Sequence, residues 1–235
     1  MFGAPQPTSY DVRFVLFRIP ISITPFFWLI GSLLAYSFAN NPSEGRLDPM
    51  AFAIALLAIL ISIVVHELGH GLVIRYVFGA STMIFLHGLG GVAIHDNRFH
   101  YRTPRRWGRI FISFAGPLAG FLLSGISLGV ILLLLYKEMF VKDSYLTFFL
   151  LRILEIGIVW GILNLMPIYP LDGGKIFREI CLQVSQRHGM EFSAGVSAVT
   201  AILLTLLCIR FSPFMAILFA VMAWQSIQML QSRRF

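Results

Sequence analysis

Residues 50–72 read MAFAIALLAILISIVVHELGHGL, and this stretch decides what kind of chain this is. From Met50 to Val65 no residue is charged, and then His66, Glu67 and His70 arrive within five positions. On a helix begun at Met50, sixteen steps of about 1.5 Å carry the chain about 24 Å across a hydrocarbon layer about 30 Å thick. That places the three groups inside a membrane, beyond its middle. Ionisable side chains at such depth are costly and mark function. Residues four apart share a helix face, so His66 and His70 can offer two imidazoles to one metal ion while Glu67 serves as a base. At this chain's residue frequencies, H-E-x-x-H arises by chance in about four of a thousand such sequences. The plainer alternative is a histidine pair at a helix end facing lipid headgroups.

The rest of the chain agrees with a membrane setting. Of its 235 residues, 57% are hydrophobic and 12% charged, and the mean hydropathy is +0.81, well outside the range of a soluble domain. Windows of about 19 residues give candidate helices near 21–39, 50–78, 108–136, 145–167, 194–209 and 212–230. The expected fold is therefore an all-α polytopic membrane protein of about six transmembrane helices. Residues 81–94, STMIFLHGLGGVAI, are apolar but too short and too glycine-broken to cross, so they read as a strand or re-entrant segment. Such backbone must be buried in protein.

The formal charge of +7 follows topology. With the N-terminus inside, all but five of the 18 basic residues (Arg46, Lys137, Lys142, Arg152 and Arg210) fall on cytoplasmic segments, the densest being Arg98–Arg109. Both termini are then cytoplasmic, and the basic balance is no nucleic-acid footprint. Ser37-Phe38-Ala39 permits a rival reading as a cleaved signal peptide, against which the long apolar stretch and long polar lead both argue. Cys181 and Cys208 form no ligand pair or disulfide framework.

Two histidines do not complete a catalytic zinc site, which usually has three protein ligands. A candidate third is Asp172, in the string NLMPIYPLDGG over residues 164–174, where prolines stop a helix and glycines allow a tight turn. By itself the string is more often a surface turn whose Asp caps the next helix.

An H-E-x-x-H in one span, followed over 90 residues later by N-x-x-P and L-D-G, resembles the site-2 protease family of intramembrane zinc metalloproteases. The resemblance covers roughly residues 15–180. It implies that His66, His70 and Asp172 hold Zn2+, that Glu67 is the general base, and that Asn164 orients the substrate or the developing oxyanion. Gly90-Gly91-Val92-Ala93 is similar to the family's membrane-associated strand, which aligns an extended substrate, and Phe114-Ala115-Gly116-Pro117 to its close-packing signature. Members often carry Asn three residues after that Gly-Pro, whereas this chain has Gly120. No stretch reads as the PDZ or CBS domains appended in many members.

The expectation is a single membrane domain over 1–235, with a catalytic core at about 50–180 and accessory spans at about 21–39 and 194–230. It hydrolyses peptide bonds in or near transmembrane segments of membrane-protein substrates, from a prokaryotic inner membrane with its active-site side cytoplasmic. The lipid bilayer is a partner and nucleic acid is not; oligomeric state is left open. A helical substrate hides its peptide groups, so a strand edge that pairs with an unwound segment gives a route to cleavage, which motivates a role for residues 84–93. The alternatives are a zinc or ion transporter, which needs more ionisable groups across the spans, and a non-catalytic binding partner, which needs neither Glu67 nor Asp172. His87 reads as a hydrogen-bonded buried histidine, His95, His100 and His188 as loop residues, and Arg152 with Glu155 as an interfacial ion pair.

Overall fold

The computed structural model describes residues 8–41, 46–88, 90–95, 104–142 and 144–231. The chain divides into two compact units, one of residues 1–103 and 115–161, the other of residues 104–114 and 162–235.

The first unit opens with a hairpin of β1 (Val12–Leu16) and β2 (Ile19–Ile23), followed by helix α1 (Pro25–Ala39). Proline in the first turn of α1 forgoes an N–H that has no helical acceptor there. Two short paired strands, β3 (Asn40–Asn41) and β4 (Arg46–Leu47), lead to α2 (Pro49–Leu72). Asp48 caps α2, its carboxylate accepting from the N–H groups of Met50 at 2.9 Å and Ala51 at 3.2 Å. At its far end α2 widens into a π-helical turn, Val73–Val77. The glycine-broken segment forms the hairpin β5 (Thr82–His87) and β6 (Gly90–His95). The strand order is β1-β2-β5-β6, with β2 and β5 parallel and the other pairs antiparallel.

Alternation along these strands sets the sheet's faces. Ile19, Ile21, Ile23, Ile84 and Leu86 are fully buried with Ala55, Ile59, Ile63 and Leu68 of α2. The sheet is thereby seated against the helix that carries the H-E-x-x-H. Next come α3 (Arg106–Tyr136), whose start lies in the second unit, and α4 (Tyr145–Asn164), whose end does. Within the first unit these two helices approach through small residues: Gly157 has no room for a side chain beside Ser124, and Ser127 Oγ donates to the Leu150 carbonyl at 2.7 Å. Arg152 pairs with Glu155 at 2.6 Å beneath the rings of Phe38 and Phe148, as the sequence suggested.

The second unit holds α5 (Asp172–Val184), α6 (Gly189–Cys208) and α7 (Pro213–Gln231). Its core joins Ile168 to Ala201 of α6 and to Phe219, Met222 and Ala223 of α7. Arg109 clamps Glu179 of α5 with two hydrogen bonds, at 2.8 and 2.7 Å. Cys181 and Cys208 are both free thiols.

Among the described residues, four helical stretches are long and apolar enough to cross a membrane: Pro49–Val77, Arg106–Tyr136, Tyr145–Asn164 and Gly189–Cys208. Pro25–Ala39 and Met215–Gln231 are apolar but shorter. The first candidate span differs from expectation at its start, since residues 21–23 belong to β2 and the helix begins at Pro25. The arginine-rich loop lies largely outside the described residues, as do His100, Arg233 and Arg234.

Candidate metal centre

His66, Glu67 and His70 lie in the last two turns of α2, exposed by 3%, 5% and 7%. Helical spacing brings the two imidazoles together, with the Nε2 atoms 3.3 Å apart and the rings nearly perpendicular. That separation tests whether the pair fits zinc. Two nitrogens each about 2.05 Å from a tetrahedral ion lie about 3.3–3.4 Å from one another. The histidine pair of α2 therefore has the bite of two zinc ligands.

Close backbone approaches hold these side chains in place. A Cβ on Gly116 of α3 would overlap the His70 imidazole, and one on Gly91 of β6 would overlap the Glu67 carboxylate. A Cβ on Gly69 would likewise meet the carbonyl of Ala115. The two glycine-containing strings singled out in the sequence thus bear directly on the H-E-x-x-H, one on His70 and the other on Glu67. Gly90 has a positive φ of 119°, at which a side chain is strained, and faces Trp160; Val92 pairs with Phe85. Thr82 on β5 pairs with His95 at the end of β6, and His87 is half-buried at the end of β5.

In the second unit, Asn164 ends α4 and is 8% exposed. Asp172 is the first residue of α5 and is 3% exposed. It does not act as the side-chain cap of that helix: Leu171 occupies the cap position, with no side-chain cap bond. Its Oδ1 accepts instead from Lys175 Nζ at 2.9 Å. Gly173 and Gly174 let the first turn of α5 press on the backbone of Leu165, Met166 and Ile168, which fixes the turn before the aspartate. In the sequence, Lys175 reads only as a topology charge and Gly69 as a variable position of the H-E-x-x-H. A contact between i and i+3 at a helix start was readable for Lys175; the partner of Gly69 is 46 residues away and left no local signal.

The sequence profile of Peptidase family M50 matches residues 54–146 and 135–208, so the chain belongs to this family. A zinc metalloprotease of Methanocaldococcus jannaschii is 28% identical over 193 residues, which is 81% of this chain and 50% of that one. Stage IV sporulation protein FB of Bacillus subtilis is 29% identical over 168 residues, 67% of this chain and 46% of its own length. This chain spans about half the length of the curated relatives it matches. Among solved structures, the site-2 protease from Methanocaldococcus jannaschii superposes with a TM-score of 0.59 at 24% identity, covering 94% of this chain and 95% of that one. That likeness is one of fold. The chain is an integral membrane protein of the M50 family with a small sheet seated on its H-E-x-x-H helix.

Proposed function

We propose that this chain is an intramembrane zinc metalloprotease that hydrolyses peptide bonds in or near the transmembrane segments of other membrane proteins. One observation carries the reading. On a helix of membrane-crossing length, two buried imidazoles converge to 3.3 Å with a buried carboxylate on the residue after the first. Family membership supports the same chemistry.

His66 and His70 supply two ligands, and Asp172 is the proposed third: it is a buried carboxylate on a clamped turn, within the L-D-G string that resembles the family's. Zinc held there supplies Lewis acidity, which polarises a carbonyl and brings the pKa of water to about 7. Glu67 accepts the proton of the attacking water at its carboxylate and returns it to the leaving amine. Asn164 is proposed to steady the carbonyl oxygen as charge develops there. Gly90, Gly91 and Val92 offer the edge of β6 to an unwound segment of substrate, since β6 is the last strand of the sheet and Gly91 lies against the base.

We place six crossings in this domain, α1 and α7 included, with both termini and the 168–188 segment cytoplasmic in a prokaryotic inner membrane. The catalytic part is about 50–180.

The test is proteolysis of a single-span substrate by the purified protein in detergent, with metal analysis alongside. Glu67→Gln keeps the side chain's shape and removes the base, so cleavage should fall by about 100- to 10,000-fold while zinc stays bound. Near-normal cleavage by zinc-loaded Glu67→Gln protein would remove this mechanism.

A further inference from the structure

The turn before Asp172 is tied to the last two helices through hydroxyl groups. Tyr169, three residues before Asp172, donates its backbone N–H to Ser197 Oγ of α6 at 2.8 Å. Ser197 Oγ lies 2.7 Å from Ser226 Oγ of α7, and Ser226 Oγ donates to the Met222 carbonyl at 2.9 Å. A hydroxyl has one proton to give. Ser226 directs its proton to Met222, so Ser197 is the donor to Ser226, which leaves Ser197 lone pairs facing the Tyr169 N–H. The result is a one-way relay, from the N–H of Tyr169 through two hydroxyls to a helix carbonyl, in which each link polarises the next.

Both serines are buried, Ser197 to 2% exposure and Ser226 to 0%. From the other side Gly173 and Gly174 press the start of α5 on residues 165–168, and Leu171 N–H donates to the Ile168 carbonyl at 2.8 Å. Ile168 is itself fully buried in the core it shares with Ala201, Phe219 and Met222. The segment between a helix-ending proline and Asp172 is therefore gripped on both sides. A bond between Ser197 and Ser226 alone would serve the packing of α6 on α7. The link to Tyr169 adds nothing to that packing, but it fixes the height of the turn.

We propose that Ser197 and Ser226 are positioning residues for the Asp172 carboxylate, and that this is a task of the last two helices in the chemistry. The proposal rests on the reading of Asp172 as a zinc ligand. A metal ligand must be held to within about 0.5 Å of its working place, and one carried on a turn depends on whatever stops the turn from shifting.

The full chain in detergent tests this by competition for zinc against a chromogenic chelator, with thermal unfolding followed in parallel. Ser197→Ala leaves the Tyr169 N–H without its acceptor and should weaken zinc binding about tenfold, the lower end of what losing an outer partner of a ligand costs. Ser226→Ala keeps the Ser197 oxygen but frees its rotation, so its loss should be smaller and in the same direction. Ser193→Ala is the control, because Ser193 is also buried on α6 but donates only to Met190 of the same helix, at 2.9 Å; its zinc affinity should equal wild type. Wild-type affinity in folded Ser197→Ala or Ser226→Ala protein overturns the proposal. An equal loss in Ser193→Ala overturns it too, since that pattern belongs to general packing. Should Ser197→Ala fail to fold, Ser226→Ala decides alone. Asp172→Ala is read separately: zinc retained there sinks the ligand assignment itself, whatever the serine variants do.

Discussion

Gly91 and Gly116 occupy places where a methyl group has no room, one against the Glu67 carboxylate and the other against the His70 ring. Alanine at the two positions should therefore produce different defects. Gly116→Ala pushes on His70, a proposed metal ligand, so zinc affinity should drop about 10- to 100-fold, measurable by chelator competition. Gly91→Ala displaces Glu67, the proposed base, and leaves the histidines alone; zinc content should be normal while turnover falls about 100-fold, the scale expected when a reacting group shifts by about an ångström. Equal zinc loss in both variants would contradict this division of labour. The pairing also shows what was readable at this scale. His66, Glu67 and His70 could be assigned from spacing alone because a helix brings i and i+4 together. Asp172 stands out as a candidate from its Pro- and Gly-rich turn, but only the resemblance favours a ligand over the surface cap that such a turn more often carries. The serines of the relay gave no sign, because their partners are 28 and 29 residues away and no periodicity links them.

Strands and helices were unequally legible for a similar reason. Glycines that interrupt an apolar run mark residues 81–94 as a strand or re-entrant segment, which the structure resolves into the β5–β6 hairpin, whereas β1–β2 carries no such mark. Its two-residue turn is Phe17-Arg18, with φ of 48° and 60°. Such turns usually carry Asn-Gly or Asp-Gly, because both central residues need positive φ. A Phe-Arg pair hides the turn from the sequence and costs about 1–2 kcal/mol per residue in backbone strain. Arg18→Gly should thus stabilise the hairpin by about 1 kcal/mol, seen as slower amide exchange over residues 12–23; faster exchange would mean that the arginine side chain holds the turn. At the start of α2 the expectation is the reverse. Asp48 accepts two backbone N–H groups and the Tyr145 hydroxyl at 3.2 Å, so Asp48→Ala should cost about 1 kcal/mol or somewhat more. Asp48→Asn keeps an acceptor for the cap and should recover most of that loss in thermal unfolding.

For the whole molecule, the open quantity is the number of crossings, and charge and length speak to it differently. Length and composition mark four stretches, while Pro25–Ala39 and Met215–Gln231 are apolar but shorter. At about 1.5 Å per residue a 15-residue helix such as α1 spans about 22 Å, short of a core about 30 Å thick. A short helix can still cross where the bilayer thins or the flanking residues snorkel, at a cost of fractions of a kcal/mol per Å. The distribution of basic residues favours that outcome, because counting α1 and α7 as crossings puts Arg13 and Arg18 on the same side as Arg75 and Arg187, and leaves Arg46 and Arg210 opposite them. Single cysteines placed in a Cys181→Ala, Cys208→Ala background, in sealed inside-out and right-side-out vesicles, separate the two counts. Between Lys142→Cys and Arg187→Cys lies one membrane-crossing stretch, α4, along with the 13-residue α5, so these two should label from opposite faces under either count, which calibrates the vesicles. Arg13→Cys against Arg46→Cys then reports on α1, and Arg210→Cys against Gln231→Cys on α7. Six crossings require each of these pairs to label from opposite faces, with Arg13→Cys, Arg187→Cys and Gln231→Cys on the cytoplasmic side. If Arg210→Cys and Gln231→Cys label from the same face, α7 lies within one leaflet.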